Sequence, residues 1–415
     1  MPETLNIAID LTPLLPGGEN GGARLLVFEL LYQLIELVPD TRFILLTQSA
    51  SHAELAWLDR PNVQRMQVVG AAVGQGIRPR LARLASWLLK PLPIWAQRAS
   101  GRLAYGVNAT LKRLGSRSQL KALGVDLLYC PFTAPTFHEP GLPTVCTLYD
   151  LQERIFPGFF SPEDLANRAG VLAALRRQAD LVITISEHTR AEAIAAGLDP
   201  ARIQVIPPRL AQRLARYPLA GTEHVLDRLG IREGYYLLYP ANFWPHKNHS
   251  RLFAAFKQAR VRGLPDELVL VCTGAPGKGL EQARASAAAL GLAPRVRFPG
   301  YLTDPQLAVL LNHAAGLIFP SLYEGFGLPV IEAMAAGIPV ACSHTAALPE
   351  VAGDAAILFD PLDPQAIASA MFELVLNQDR RALLVAAGQR RAAQFSDSRA
   401  MAEAYWSCLY HLLRL

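Results

Sequence analysis

Short apolar runs alternate with helix-length stretches along this chain, and they do so in two series. The first series predicts strands at Leu5–Asp10, Phe43–Thr47, Gln64–Val69, Val125–Cys130, Thr144–Leu148 and Asp180–Ile185. The second predicts them at Tyr235–Tyr239, Leu268–Thr273, Val296–Phe298, Gly316–Phe319, Ile338–Cys342 and Ala356–Phe359. Near-continuous apolar runs suit strands buried on both faces, and helical patterns between successive strands suit parallel pairing. The chain therefore reads as α/β, with two Rossmann-type layers. Between them Ile206-Pro207-Pro208 ends a strand with two residues that lack amide donors, and a polar segment follows. This divides the chain into a first domain over 1–207 and a second over 208–397, with a hinge near 207–232. The last helix, over 398–415, carries Tyr405, Trp406 and Tyr410 and is expected to return to the first domain.

The chain has 415 residues, enough for two large domains at about 150 residues each. With 51% hydrophobic and 18% charged residues, intrinsic disorder is excluded. The five cysteines, Cys130, Cys146, Cys272, Cys342 and Cys408, form no CxxC pair and read as buried small hydrophobes in a reducing compartment. The formal charge of +5 conceals an asymmetry: Arg60 to Gly124 contains twelve Lys and Arg but no Asp or Glu, so the remainder is net negative. Within that stretch, over 78–117, Leu81, Leu84, Trp87, Leu88, Trp95, Leu103, Tyr105 and Leu111 stand among arginines, a mixture suited to an anionic membrane surface. A solvated basic face is the plainer alternative. No nucleic-acid motif accompanies it, and no nucleic-acid partner is expected. Met1-Pro2-Glu3-Thr4 lacks a positive leader and no run is long enough to span a bilayer, so a cytoplasmic protein, peripheral on the inner membrane face, is expected.

The strongest chemical signal is Phe319-Pro320-Ser321-Leu322-Tyr323-Glu324-Gly325-Phe326-Gly327-Leu328-Pro329-Val330-Ile331-Glu332-Ala333-Met334-Ala335-Ala336-Gly337. It predicts a strand, a glycine-bearing loop and a helix whose first turn contains Pro329. Backbone amides at Gly327 and Leu328, with the positive end of the helix dipole, favour an anion such as a diphosphate. Glu324 and Glu332 flank that position. Carboxylates repel phosphate, so facing a ligand they would grip sugar or ribose hydroxyls. A dipole-complementing surface residue and a plain loop acid are the alternatives.

Glu324-x7-Glu332 within Gly-Phe-Gly-Leu-Pro, followed by Gly337-Ile338-Pro339-Val340 and Leu348-Pro349-Glu350-Val351-Ala352-Gly353, closely resembles the retaining glycosyltransferases of family four. The resemblance implies the GT-B fold, two Rossmann-like domains facing each other across a cleft. It implies that Glu324 contacts the transferred sugar, Glu332 the nucleotide ribose, and the backbone of Gly325, Phe326, Gly327 and Leu328 the sugar and phosphates. It implies a nucleoside diphosphate sugar as donor substrate, with no cofactor and no obligatory metal.

A second segment, Tyr239-Pro240-Ala241-Asn242-Phe243-Trp244-Pro245-His246-Lys247-Asn248, follows a strand and precedes a helix beginning near Ser250. Lys247 is the natural phosphate partner here. The similar proteins usually have an arginine where this chain has Ala241-Asn242, which leaves Asn242 as an uncharged donor and His246 to complete the grip. In the first domain Pro16 to Arg24 is a glycine-rich turn before a helix, with Gly21 and Gly22 the candidates for approaching phosphates or acceptor. Thr144–Leu148 delivers Tyr149 and Asp150 to a strand's carboxyl end, where open α/β sheets place ligands. Tyr149 stands where the family has a histidine. A phenol is a poor base at neutral pH but can hydrogen-bond a sugar hydroxyl, and Asp150 is expected to orient acceptor or sugar. Ser186 is expected to cap a helix. Pro207-Pro208-Arg209 replaces the family's Pro-Asn-Gly.

Together these features predict a retaining, metal-independent hexosyltransferase. It would move a hexose or deoxyhexose, first of all mannose from GDP-mannose, to a lipid-linked or polysaccharide acceptor at the membrane. The competing readings are a catalytically weak sugar-nucleotide or glycan-binding scaffold and a sugar-nucleotide epimerase.

Overall fold

The computed structural model describes residues 5–14, 21–69, 119–218 and 224–414. The expected membrane-facing segment over 78–117 and residues 15–20 of the glycine-rich turn lie outside the described residues.

The first domain contains β1 (Asn6–Asp10), β2 (Arg42–Gln48), β3 (Val63–Val69), β4 (Leu127–Cys130), β5 (Thr144–Leu148), β6 (Leu181–Thr184) and β7 (Ile203–Val205). They form one sheet in the order β3-β2-β1-β4-β5-β6-β7, paired parallel throughout. The second contains β8 (Tyr236–Pro240), β9 (Val269–Thr273), β10 (Val296–Gly300), β11 (Gly316–Phe319), β12 (Val340–Ser343) and β13 (Ile357–Phe359), ordered β10-β9-β8-β11-β12-β13 and also all parallel. Every residue of β4, β5, β9, β11 and β12 is buried, which is why these strands read as unbroken apolar runs.

The ends of some runs lie elsewhere. The Val125 amide is turned back to the Leu120 carbonyl, and the Asp126 carboxylate accepts the Asn6 amide at 2.8 Å, so β4 begins at Leu127. After Pro207-Pro208 the connection is a packed segment, with Leu210, Ala211 and Leu214 buried and the Ala211 amide bonded to the Phe395 carbonyl at 2.9 Å.

Helix Ser398–Leu412 returns to the first domain, as expected. It lies along helix Gly21–Leu37, where the Ser398 hydroxyl donates to Glu29 at 2.8 Å, and it buries Tyr405 with its ring 6.1 Å from that of Tyr129. Of the cysteines, four are buried and Cys408 is half-buried, and none forms a disulfide. Among the described residues no helix is long and apolar enough to cross a membrane.

Candidate functional site

A cleft of about 1360 Å³ opens between the domains, lined by residues that follow β5, β6, β8, β9, β10 and β11. Ligands of open α/β sheets bind at the carboxyl ends of strands, and here two sheets present those ends to one space. All thirteen candidate residues from the sequence line it: Gly21, Gly22, Tyr149, Asp150, Asn242, His246, Lys247, Glu324, Gly325, Phe326, Gly327, Leu328 and Glu332.

The second-domain half is built from two loops fastened together. After β11 the chain turns through Tyr323–Gly327 and enters helix Leu328–Ala335, with Pro329 in its first turn. Gly327 has φ +109, and a Cβ there would meet Leu348 Cδ2 at 2.6 Å, so glycine is needed on both counts. The first-turn amides of a helix have no intrahelical acceptors and are available to a ligand. After β8 a single turn of 3-10 helix, Pro245–Lys247, leads to Asn248, which has φ +62 and donates its side-chain amide to the carbonyls of Pro320 at 3.0 Å and Pro361 at 2.8 Å. The Leu322 amide donates to the His246 carbonyl at 2.7 Å, and the Tyr239 hydroxyl to the Lys247 carbonyl at 2.7 Å. This fastening holds Lys247 Nζ 2.5 Å from Glu324 Oε1, with both side chains nearly buried. The expected helix start at Ser250 falls one residue earlier, at His249.

Two expected phosphate contacts can contribute hydrogen-bond donors but no charge. Asn242 Oδ1 accepts the Ala275 amide at 2.8 Å, so it braces the turn after β9. Burial, aided by neighbouring Lys247, pushes the His246 pKa down to about 3, so this ring offers a hydrogen bond at neutral pH but no charge.

Glu332 is buried, and Arg213, from the segment after the double proline, lies against it with Nε and Nη2 each 2.8 Å from Oε1. The same guanidinium reaches Asp304 at 2.7 Å and is only 6% exposed. Burial opposes its charge, but the two carboxylates outweigh burial and raise its pKa. Burial raises the Glu332 pKa against the pull of Arg213. Sequence reasoning missed Arg213. Arg209, Arg213 and Arg216 all follow the prolines, and nothing in their spacing marks the buried one.

In the first domain the Tyr149 hydroxyl donates to the Pro131 carbonyl at 2.8 Å, so its proton is committed within its own domain. Asp150 is one-third exposed, its Oδ1 3.4 Å from Arg168 Nη1. Gly22 approaches Leu328: a Cβ at Gly22 would lie 3.2 Å from Leu328 Cδ1. Ser186 caps helix Glu187–Ala195 as expected, accepting the Thr189 amide at 3.1 Å. Among the described residues no group of three His, Cys, Asp or Glu side chains gathers in a way that could hold a metal ion.

Two parallel Rossmann-like sheets around such a cleft define a GT-B protein. The model for glycosyl transferases group 1 matches residues 226–391, and that for glycosyltransferase family 4 matches residues 98–210. O-antigen chain mannosyltransferase B of Escherichia coli is 30% identical over 276 residues, spanning 64% of this chain and 70% of that protein. D-inositol 3-phosphate glycosyltransferase of Salinispora tropica is 36% identical over 216 residues, but that covers only 48% of this chain and 44% of the relative. Among solved structures, Anabaena HepE in complex with UDP and glucose superimposes with a TM-score of 0.70 at 19% identity, covering 98% of this chain and all of that one. WaaG, a glycosyltransferase involved in lipopolysaccharide biosynthesis, gives 0.66 at 17% identity over 97% and 99% of the two chains. The chain belongs to glycosyltransferase family 4, whose members are retaining hexosyltransferases using nucleotide-sugar donors.

Proposed function

We propose that this enzyme transfers mannose from GDP-mannose, with retention, to a lipid-linked or polysaccharide acceptor presented at a membrane. The observation that carries the reading is the Lys247–Glu324 pair, 2.5 Å apart at the head of helix Leu328–Ala335, in one cleft with Asp150. In this reading residues 208–397 hold the donor and residues 1–207 the acceptor. Lys247 and the first-turn amides bind the diphosphate, a contact worth on the order of 1.5–3 kcal/mol for the charged hydrogen bond alone. They also stabilise it as it leaves, so no metal is required for that purpose. Glu324 grips the transferred sugar, Glu332 the ribose, and Asp150 orients the incoming hydroxyl. No side chain has to serve as general base, because the departing diphosphate can take the acceptor proton on the same face. The choice of mannose is supported by relatives named as mannosyltransferases, O-antigen chain mannosyltransferase B and WbdA of Escherichia coli among them.

The test is a thermal-shift and turnover screen against GDP-, UDP- and dTDP-sugars, with Lys247→Ala and Glu324→Ala as controls. A donor at a hundredfold excess over its dissociation constant stabilises the fold by about 2.7 kcal/mol. Stabilisation and turnover with GDP-mannose, lost in both variants, are expected; stabilisation by UDP-sugars alone would overturn the donor assignment. Flotation with anionic liposomes tests the membrane placement, and the absence of salt-sensitive binding would refute it.

A further inference from the structure

The loop that carries Glu324 is held as much by the first domain as by its own. The Tyr323 hydroxyl donates across the cleft to the Glu192 carboxylate, and its oxygen accepts the Leu151 amide at 3.3 Å. Two residues on, the Gly325 carbonyl accepts the Ser186 hydroxyl at 2.8 Å, and the Gly325 α-carbon lies against the Tyr149 carbonyl. Glu350 closes the set from the second domain, accepting the Glu187 and His188 amides at 2.8 and 3.0 Å and so capping a first-domain helix. Glu324 is therefore bracketed by two residues bonded to the opposite domain, and Leu151 is the chain neighbour of Asp150.

We propose that Tyr323 is a positioning residue for glycosyl transfer, its phenol, held by Glu192 and Leu151, fixing the separation between Glu324 and Asp150. The inference rests on the assignment of transfer to this cleft. The ring is suited to the task. It is buried at 4% exposure, with the His188 ring edge-on at 5.8 Å and that of Phe156 at 6.5 Å, and it has only two side-chain torsions to fix. Burial and the bond to Glu192 raise its pKa, so the phenol stays protonated and keeps donating. The other Glu192 oxygen, Oε1, faces the His188 ring, 3.4 Å from its Nε2. A loop set in this way transmits small displacements directly: a misplacement of about 1 Å at a reacting centre can cost about a hundredfold in rate.

The experiment measures GDP-mannose hydrolysis and transfer for the parent and for Tyr323→Phe, Glu192→Ala, Glu192→Gln and the Tyr323→Phe/Glu192→Ala double variant. Methyl α-mannoside serves as acceptor in one arm and membrane extract in another. Tyr323→Phe is expected to lower kcat for transfer about tenfold or more, leave the donor KM within about twofold, and raise the ratio of hydrolysis to transfer. Glu192→Ala should match it, Glu192→Gln should retain most of the activity through its amide oxygen, and the double variant should be no worse than either single change. Parent-like kcat in Tyr323→Phe overturns the proposal. So does a loss shared equally by hydrolysis and transfer with a lowered Tm, which would mark a merely structural tyrosine. A parent that neither hydrolyses nor transfers any sugar would instead remove the transferase reading, and this inference with it.

Discussion

Gly325→Ala is the sharpest perturbation of the cleft. An added Cβ would stand 2.0 Å from the Tyr149 carbonyl oxygen and 3.1 Å from its carbonyl carbon. Both obstructing atoms are backbone at the end of a fully buried strand, so no rotamer change relieves the clash. The closest tolerable approach is near 3.0 Å, so the Glu324 loop and the Asp150 strand end must separate by about 1 Å, which at a reacting centre costs on the order of a hundredfold in rate. Gly325 does not have positive φ, so backbone strain in the variant is not a competing cause. Single-turnover transfer from GDP-mannose is the assay, with nucleotide affinity measured separately by calorimetry. The rate should fall about a hundredfold while GDP affinity changes less than about threefold, since in the proposed reading the diphosphate contacts lie within the second domain. Gly170→Ala is the control: with open space at its Cβ in an exposed helix interior, it should leave the rate alone and add about 1 kcal/mol of stability. A Gly325→Ala rate within threefold of the parent would refute the reasoning, because the domains would then have no fixed contact at this point.

Arg213→Ala strips the buried Glu332 carboxylate of its counter-charge and should cost about 3–5 kcal/mol in urea unfolding; a cost under about 1 kcal/mol would mean that Glu332 relaxes to water. His246 is already neutral at neutral pH, so donor affinity should stay flat from about pH 7.5 down to about pH 5.5, and tightening in acid would contradict its low pKa. Burial raises the Asp10 pKa from 3.8 to about 6, so the stability it contributes is fully present below the unfolded value and is lost as pH rises through the folded one. Relative to the parent, Asp10→Asn should therefore gain about 2 kcal/mol between about pH 4.5 and about pH 7.5 in matched unfolding curves, and a constant difference would show that Asp10 is ionised throughout.

The parts of this protein that were legible in its sequence are those where the information is local. Strands such as Val269–Thr273 are buried on both faces and announce themselves as apolar runs. Glu324, Pro329 and Glu332 lie on one strand, loop and helix, so their spacing fixes their mutual placement before anything else folds. The contacts that complete the cleft are of another kind. Arg213 meets Glu332 across 119 residues of sequence, Tyr323 meets Glu192 across 131, and Glu350 caps its helix across 163. No periodicity reports such pairs: the first depends on how the segment after the prolines folds back within the second domain, and the other two on how the two domains meet. Asn242 carries a role its sequence did not show: its side-chain oxygen accepts the Ala275 backbone amide of the neighbouring turn, which orients the side chain and leaves its NH2 as the group that could donate to a ligand. The segment after the prolines looked like a polar hinge because its buried residues, Leu210, Ala211 and Leu214, are interleaved with an exposed Gln212 and with Arg213, whose charged side chain is itself buried.

The cations of the cleft divide by how firmly they are held, and that division gives the proposed mechanism its order. Arg213 is 6% exposed and shared by two carboxylates, so moving it to a ligand would leave Glu332 buried and uncompensated. It is a fixture, and it keeps Glu332 in place. Among the described residues Lys247 has a single carboxylate partner, Glu324, and twice that exposure, at 12%. An ammonium on a flexible stem is a point charge that can change partners at small geometric cost. In the proposed mechanism, when the donor diphosphate enters, two negative phosphates compete with one carboxylate for Lys247, and the helix amides favour the phosphates. Glu324 then loses its counter-charge at the moment a sugar arrives beside it. A carboxylate released in this way is free to accept hydrogen bonds from the sugar and to face the positive charge that develops as the glycosidic bond to the diphosphate breaks. In the proposed mechanism the pair thus balances two charges against each other and separates them onto the two halves of the donor once it is bound.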